Sequence, residues 1–225
     1  MRPSILVKFH EGDNERSVLI DTGPDFRQQA LRENLRSIDA VLYTHSHADH
    51  IMGLDDLRPL SFKKPDKIPL YADSKTTQVL RQVFEYTFSE SNKYPYKARV
   101  ELHPLEDHTR IFGADFVRVP LLHGALDTVG FRFGAAAYLT DMSDIPEASF
   151  SLLQNLDVLI IDALRRTPHP SHSNVETSLK FIEKIQPTQA YFTHIAHDLG
   201  HVELENELPD HVHMAYDGLR IPFEL

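Results

Sequence analysis

The chain has 225 residues, a formal net charge of −10 and a hydrophobic fraction of 41%, which fits one soluble domain with a substantial core over residues 1–225. It has no cysteine, which excludes disulfides, a thiolate nucleophile and a cysteine-based zinc site. The negative charge disfavours non-specific binding of long nucleic acids, and no apolar run approaches the roughly 20 residues that span a bilayer.

The N-terminal part predicts a hairpin followed by a helix and a strand. Its first residues, 1–5, lack the apolar stretch and cleavage site of a signal peptide, so we expect a cytoplasmic protein without contact to a membrane. Residues 4–10 and 17–21 read as the paired strands of a hairpin. A helix is expected from Pro24 to about Asn34. A short apolar strand from Asp39 to Tyr43 follows.

The remainder alternates strands and helices, which predicts sheets covered by helices on their outer faces. Strands are expected over residues 68–71, 115–122, 128–133, 135–139, 157–162 and 189–193, with two short strands at the C-terminus. Helices are expected over residues 74–88, 149–155, 174–185 and 201–208.

Polar residues recur just after the ends of predicted strands. A site built from loops at one edge of a sheet places its functional groups in this way. The residues concerned are Asp21, His45, His123, Asp141, Asp162 and His194.

One run, His45-Ser46-His47-Ala48-Asp49-His50, predicts half of a metal site. His45 and His47 are two residues apart, so both imidazoles can face one ion from a loop, and Asp49 and His50 can turn towards a second. Packing three imidazoles and a carboxylate this closely has no purpose without a cation, because their desolvation is costly. The run does not complete two coordination spheres. The further ligands expected are His123, Asp141 and His194, of which Asp141 can bridge both ions.

This run, with Leu19-Ile20-Asp21-Thr22-Gly23 ahead of it, resembles the metallo-β-lactamase superfamily, and the resemblance covers essentially the whole chain. It implies an α/β fold, a four-layer αββα sandwich with a dinuclear site at one edge. By this resemblance His45, His47 and His123 hold one ion, Asp49, His50 and His194 hold the other, and Asp141 bridges them. The mixed nitrogen and oxygen ligands suit Zn²⁺ or Mn²⁺ equally.

Three further segments, 21–27, 55–60 and 193–199, resemble a phosphodiesterase subgroup that includes the cyclic phosphodiesterase of phosphonate degradation. The subgroup is related to the endonuclease that trims the 3′ end of tRNA. The resemblance implies a small phosphodiester substrate attacked by a hydroxide between two ions, with Asp49 also counted as catalytic. His172 best matches the general acid. The alternative for His172 is a helix cap or a solvated side chain.

Other residues are candidates for support or substrate binding. Asp21 is expected to hold the histidine run from behind, as ligating imidazoles need a partner on their second nitrogen, although it could instead cap the next helix. His197 is a second supporting candidate. His169 and Arg165 are candidates for contacting a substrate phosphate, against the alternative of a solvated loop.

The chain departs from this subgroup at its start, since relatives have an earlier strand with a Gly-rich turn and, in many cases, cysteines for a structural zinc. Two explanations are open, a shortened chain or a sheet edge that is covered in another way, and the full activity of the chain is in question. An uncovered sheet edge favours pairing with a second copy, so a homodimer is one expectation.

Three other functions compete with a phosphodiesterase. A tRNA 3′-processing endonuclease needs a basic arm, which is not evident here. A hydrolase of thioesters, lactones or β-lactams has no need for a histidine placed like His172. A non-catalytic metal-binding relative is opposed by the complete ligand set.

Overall fold

The protein, here a computed structural model that describes residues 1–225 throughout, has a mixed α/β architecture with two sheets and helices. The strands are β1 (Ile5–Glu11), β2 (Asn14–Ile20), β3 (Ala40–Leu42), β4 (Ile68–Ala72), β5 (Val100–Pro104), β6 (His108–Ile111), β7 (Ala114–His123), β8 (Leu126–Phe133), β9 (Ala136–Leu139), β10 (Val158–Asp162), β11 (Gln189–Thr193) and β12 (Val212–Met214). The helices are α1 (Phe26–Arg32), α2 (Ala48–Ile51), α3 (Arg58–Ser61), α4 (Ser74–Val83), α5 (Glu85–Phe88), α6 (Val175–Ile185) and α7 (His201–Glu205). None of these helices has the length and apolar composition that a membrane crossing requires.

The chain forms two compact units, Met1–Glu106 with Ile111–Gly113, and Asp107–Arg110 with Ala114–Leu225. The first contains a five-stranded sheet in the order β1-β2-β3-β4-β5. Strands β1 and β2 form an antiparallel hairpin, whereas β2 to β5 run parallel to their neighbours. Val41 of β3 packs with Phe26 of α1 and Leu80 of α4 in a buried core. Because β3 is packed in this core, its carboxyl end has a fixed position at one edge of the sheet.

The second unit contains a seven-stranded sheet in the order β12-β11-β10-β9-β8-β7-β6. Its half from β9 to β12 is parallel, while β8 runs antiparallel to its two neighbours, β7 and β9. Leu159 of β10, Phe192 of β11 and Ile182 of α6 are buried in one core cluster. Because β9, β10 and β11 are parallel neighbours, the residues that follow them lie at the same edge of the sheet.

Several predicted elements differ in extent from the observed ones. The helix expected over 74–88 breaks at Phe84, whose backbone leaves the helical region at φ −108° and ψ 39° while its ring enters the core at 4% exposure. The helix expected over 149–155 is a 3₁₀ segment, Glu147–Leu153. One C-terminal strand, β12, replaces the two expected. Strands β5 and β6 were not predicted, since they are short and carry charged residues.

Candidate metal centre

The histidine run of the first unit is a compact cluster at the end of β3. The ring of His45 lies 4.5 Å from that of His47 and 4.3 Å from that of His50, measured between centroids. Nε2 of His50 is 3.9 Å from Oδ2 of Asp49. His45 is 6% exposed and His50 is fully buried. Three imidazoles and a carboxylate thus converge in a largely desolvated position, which suits a cation.

Asp21 supports this cluster through three hydrogen bonds. Its Oδ2 lies 2.7 Å from Nδ1 of His50 and accepts the hydroxyl of Thr44 at 2.8 Å, while its Oδ1 accepts the Thr44 backbone N–H at 2.9 Å. Oγ1 of Thr44 in turn lies 3.0 Å from Nδ1 of His45. A carboxylate on Nδ1 fixes the tautomer and orientation of an imidazole, so Nε2 is the nitrogen that a metal would take.

The residues after Asp21 attach the histidine run to the sheet by their backbone. Thr22 donates its N–H to the His50 carbonyl at 2.8 Å, and Gly53 donates to the Thr22 carbonyl at 2.8 Å. A Cβ at Gly23 would collide with the carbonyl oxygen of Asp49. Glycine is therefore required there because two backbone segments approach too closely for a side chain. Asp21 does not cap α1, whose N-cap residue is Asp25.

A second cluster forms in the second unit, where its strands end. Nε2 of His194 lies 3.2 Å from Oδ1 of Asp141. Candidate ligand atoms of His123, Asp141 and His172 lie within 4.8 Å of one another, and so do those of Asp162, His172 and His194. The structure thus brings together His123, Asp141 and His194, the further ligands expected from the sequence. Asp162 and the predicted general acid His172 lie beside them.

Asp162 and His172 form a buried pair. Nδ1 of His172 lies 2.9 Å from Oδ2 of Asp162, whose side chain is fully buried, while that of His172 is 12% exposed. Burial raises the pKa of Asp162, and the hydrogen bond from His172 opposes this shift. His172 does not cap α6, because the side chain of Asn174 accepts the Thr177 N–H at 3.0 Å. Apart from the position of Asp162 at the end of a strand, no pattern in the sequence predicts this pairing.

The loop that contains His172 also makes a hydrogen bond to His123. Nδ1 of His123 lies 2.6 Å from the carbonyl oxygen of Ser171, the residue before His172. Gly124, next to His123, has φ +64°, and a Cβ at this position would lie 3.1 Å from Cβ of Ser171, closer than an ordinary contact. The loop therefore orients a predicted metal ligand and places the predicted acid at the same time.

Three of the seven non-glycine residues with positive φ belong to these clusters. Asp21, Asp141 and His194 have φ values of +64°, +50° and +56°. Such conformations are uncommon for residues with a side chain and recur at functional sites. Each of the three follows the end of a strand, where the chain turns sharply to present the side chain.

The remaining candidates from the sequence are His169 and Arg165, for contacting a phosphate, and His197, for supporting a ligand. The ring of His169 lies 5.0 Å from that of His172, and burial lowers the pKa of His169, with the neighbouring His172 adding to the effect. Arg165 donates to the backbone carbonyls of its own loop, Thr167 at 3.2 Å and Pro168 at 2.9 Å. His197 is exposed, so it lacks the buried contact that a supporting role behind a ligand requires.

The donor chemistry fits divalent transition metals. His45, His50 and His123 each have Nδ1 directed at a protein oxygen, from Thr44, Asp21 and Ser171 respectively, which leaves their Nε2 atoms as the ligating nitrogens. Imidazole nitrogens mixed with carboxylate oxygens are ligands of Zn²⁺ and Mn²⁺.

Comparison with known proteins assigns the family. A family model described as the beta-lactamase superfamily domain matches residues 16–195. A crystal structure described as a new diphosphatase from the PhnP family is 49% identical, with a TM-score of 0.91 over 100% of this chain and 85% of that chain. The short form of human tRNase Z shares the fold, with a TM-score of 0.73 at 17% identity over 100% of this chain and 93% of that chain.

A curated relative from Porphyromonas gingivalis, named octanoyltransferase, is 36% identical over 97% of this chain. The chain spans only 44% of that relative, so the name describes a protein more than twice as long. The chain is a hydrolase of the metallo-β-lactamase superfamily and resembles the PhnP family.

Proposed function

We propose that the chain, as one catalytic domain over residues 1–225, is a metal-dependent phosphohydrolase that cleaves small, including cyclic, phosphodiesters. The observation that carries the proposal is the Asp162–His172 pair beside His194 and Asp141 in the second unit. A thioester hydrolase does not need such a pair, because a thiolate leaves without a proton. A phosphodiester with an alkoxide leaving group does, because that group departs poorly without a proton.

The proposed metal ligands follow the family resemblance: His45, His47 and His123 for one ion, Asp49, His50 and His194 for the other, and Asp141 for both. Two divalent ions, when bound, activate water as the nucleophile and neutralise the phosphate oxygens. Asp21 and the Ser171 carbonyl orient ligands by hydrogen bonds to Nδ1. Zn²⁺ and Mn²⁺ both suit this donor set.

His172 acts on the leaving group. Its Nδ1 is held by Asp162, so Nε2–H is the proton donor. As the bond between phosphorus and the leaving oxygen breaks, that oxygen takes the proton, while the oxygen of water becomes bonded to phosphorus. Asp162 fixes the orientation of the ring. His169, next to His172, is placed to contact a phosphate oxygen.

A second candidate is a diphosphatase, favoured by the description of the 49% identical PhnP-family structure. Here the broken bond joins phosphorus to the oxygen between two phosphates, and the departing phosphate needs less help from an acid. Acyl transfer, named in the P. gingivalis relative, is not proposed, since the chain spans less than half of that protein.

A substrate panel on metal-replete protein tests the proposal. The panel contains bis(p-nitrophenyl) phosphate, a 2′,3′-cyclic nucleotide, UDP-glucose as a diphosphate diester, a glutathione thioester and a precursor tRNA. We expect turnover of one or more of the first three, abolished by chelation and restored by Zn²⁺ or Mn²⁺. Turnover of the thioester alone, or tight binding and cleavage of the tRNA alone, would overturn it.

A further inference from the structure

The first residues of the chain lie against the histidine run. The backbone N–H of Arg2 donates to Oδ2 of Asp25 at 2.6 Å, and its carbonyl accepts the side-chain amide of Gln29 at 2.9 Å. Ser4 donates to the carbonyls of Ile20 and Asp21 at 2.9 Å each. These bonds fix the backbone of residues 2–4 without using the side chain of Arg2.

The side chain of Arg2 points at a predicted metal ligand. Its Nη1 lies 3.6 Å from Oδ2 of Asp49, with the Arg2 side chain 58% exposed and that of Asp49 25% exposed. A Cβ at Gly23 would lie 3.4 Å from Cβ of Arg2 and would collide with the Asp49 carbonyl. The absence of a side chain at Gly23 thus lets Arg2 and Asp49 approach one another.

This ion pair contributes little to folding, because water screens the attraction between exposed charges. Its location matters more than its strength. A divalent ion on the Asp49 carboxylate shares that negative charge and leaves the guanidinium to pair with another anion. A guanidinium suits phosphate well, since its planar fork donates two parallel hydrogen bonds to two oxygens.

Four other arginines have partners elsewhere. Arg16 pairs with Glu11, Arg99 donates to the carbonyls of Lys64 and Pro65, and Arg166 pairs with Glu207. Arg165, the arginine predicted to bind phosphate, is held by two carbonyls of its own loop. Arg2 differs from these arginines because its guanidinium lies against a predicted metal ligand.

We infer that Arg2 binds the second phosphate group of the substrate and so makes the site selective for diphosphate diesters over simple phosphodiesters. This inference rests on the proposed function and, between its two candidates, favours the diphosphatase over hydrolysis of simple phosphodiesters. At the metal ligands, the bond between one phosphorus and the bridging oxygen would break as the oxygen of water bonds to that phosphorus. The other phosphate would leave with the bridging oxygen, and the guanidinium beside Asp49 would hold it.

The test compares Arg2→Gln and Arg2→Lys with Arg36→Gln, a change at an exposed arginine outside the site. Calorimetry on metal-loaded protein measures binding of methylenediphosphonate, which resists hydrolysis, and of inorganic phosphate. We expect Arg2→Gln to weaken methylenediphosphonate binding about tenfold and phosphate binding far less, as expected for one lost charged hydrogen-bonding group. Arg2→Lys should be intermediate, because lysine lacks the fork. Arg36→Gln should match the parent protein.

Equal weakening of both ligands, no weakening of either, or no binding of methylenediphosphonate by the parent protein would overturn the inference. So would loss of metal from Arg2→Gln, measured by mass spectrometry, because Arg2 would then serve the metal site. The ratio of kcat/KM for UDP-glucose and bis(p-nitrophenyl) phosphate gives a second readout, expected to fall about tenfold in Arg2→Gln. If the parent protein hydrolyses neither compound, the proposed function fails, while the binding data still decide the role of Arg2.

Discussion

Replacing His172 with alanine is expected to slow hydrolysis of a phosphodiester with an alkoxide leaving group by about 10²- to 10⁴-fold, the usual contribution of a general acid. The loss should be much smaller for a p-nitrophenyl ester, because p-nitrophenolate leaves without a proton. The reason lies in the geometry: Asp162 holds Nδ1 of His172 at 2.9 Å, which reserves Nε2 for the leaving group. Steady-state kinetics with both esters measures the difference.

His108→Ala is the matched control, since His108 is a histidine of the same unit whose side chain is 65% exposed. It should leave both rates unchanged. An equal loss for both esters in His172→Ala would point to a role in metal or substrate binding instead. An unchanged rate for the alkyl ester would remove the general-acid assignment.

Replacing Asp21 with alanine is expected to weaken metal binding by about 10- to 100-fold, because the carboxylate behind a ligating histidine sets its orientation. It should also destabilise the fold by about 1–3 kcal/mol, since the buried Thr44 N–H loses its acceptor. Asp21→Asn separates the two effects. Asparagine tolerates the φ of +64° and keeps an acceptor for Thr44, so it should retain stability while still losing metal affinity.

Asp73→Ala provides the control for stability alone. Asp73 caps α4 by accepting the Thr76 N–H at 2.7 Å, so its loss should cost about 1 kcal/mol and leave metal affinity unchanged. Thermal unfolding and metal titration measure the two quantities on each variant. Parent-like metal affinity in Asp21→Ala would contradict the supporting role of Asp21.

The parts of the site that are local in sequence could be predicted from sequence. The run from His45 to His50 holds its ligands within six residues, and an apolar strand precedes it, so its place at a sheet edge follows from pattern alone. Asp141 and His194 were found in the same way, as polar residues after strand ends. Each conclusion depends only on strand register and on residue chemistry.

The parts that depend on how loops fold back could not be predicted. The pairing of Asp162 with His172 joins residues ten apart across a loop, and the carbonyl of Ser171 reaches His123 from 48 positions away. Backbone carbonyls carry no sequence signature. The positive φ values at Asp141 and His194 are equally hidden, because neither residue type demands them.

Arg2 illustrates the same limit. Nothing in its sequence neighbourhood marks it as a phosphate ligand, whereas Arg165, after a predicted strand end, was the stronger candidate from pattern. The inference for Arg2 rests instead on contacts: the Arg165 guanidinium donates to nearby carbonyls, while that of Arg2 faces Asp49.

The central claim, that the two ligand sets together hold a pair of divalent ions, is tested most directly by counting metal. Mass spectrometry on purified, metal-replete protein should find two Zn²⁺ or Mn²⁺ ions per chain, with fewer in His50→Ala of the first unit and in His123→Ala of the second. Chelation should remove the ions and abolish turnover of bis(p-nitrophenyl) phosphate. A parent protein that retains no metal, or variants that both keep the full metal content of the parent protein, would contradict the claim.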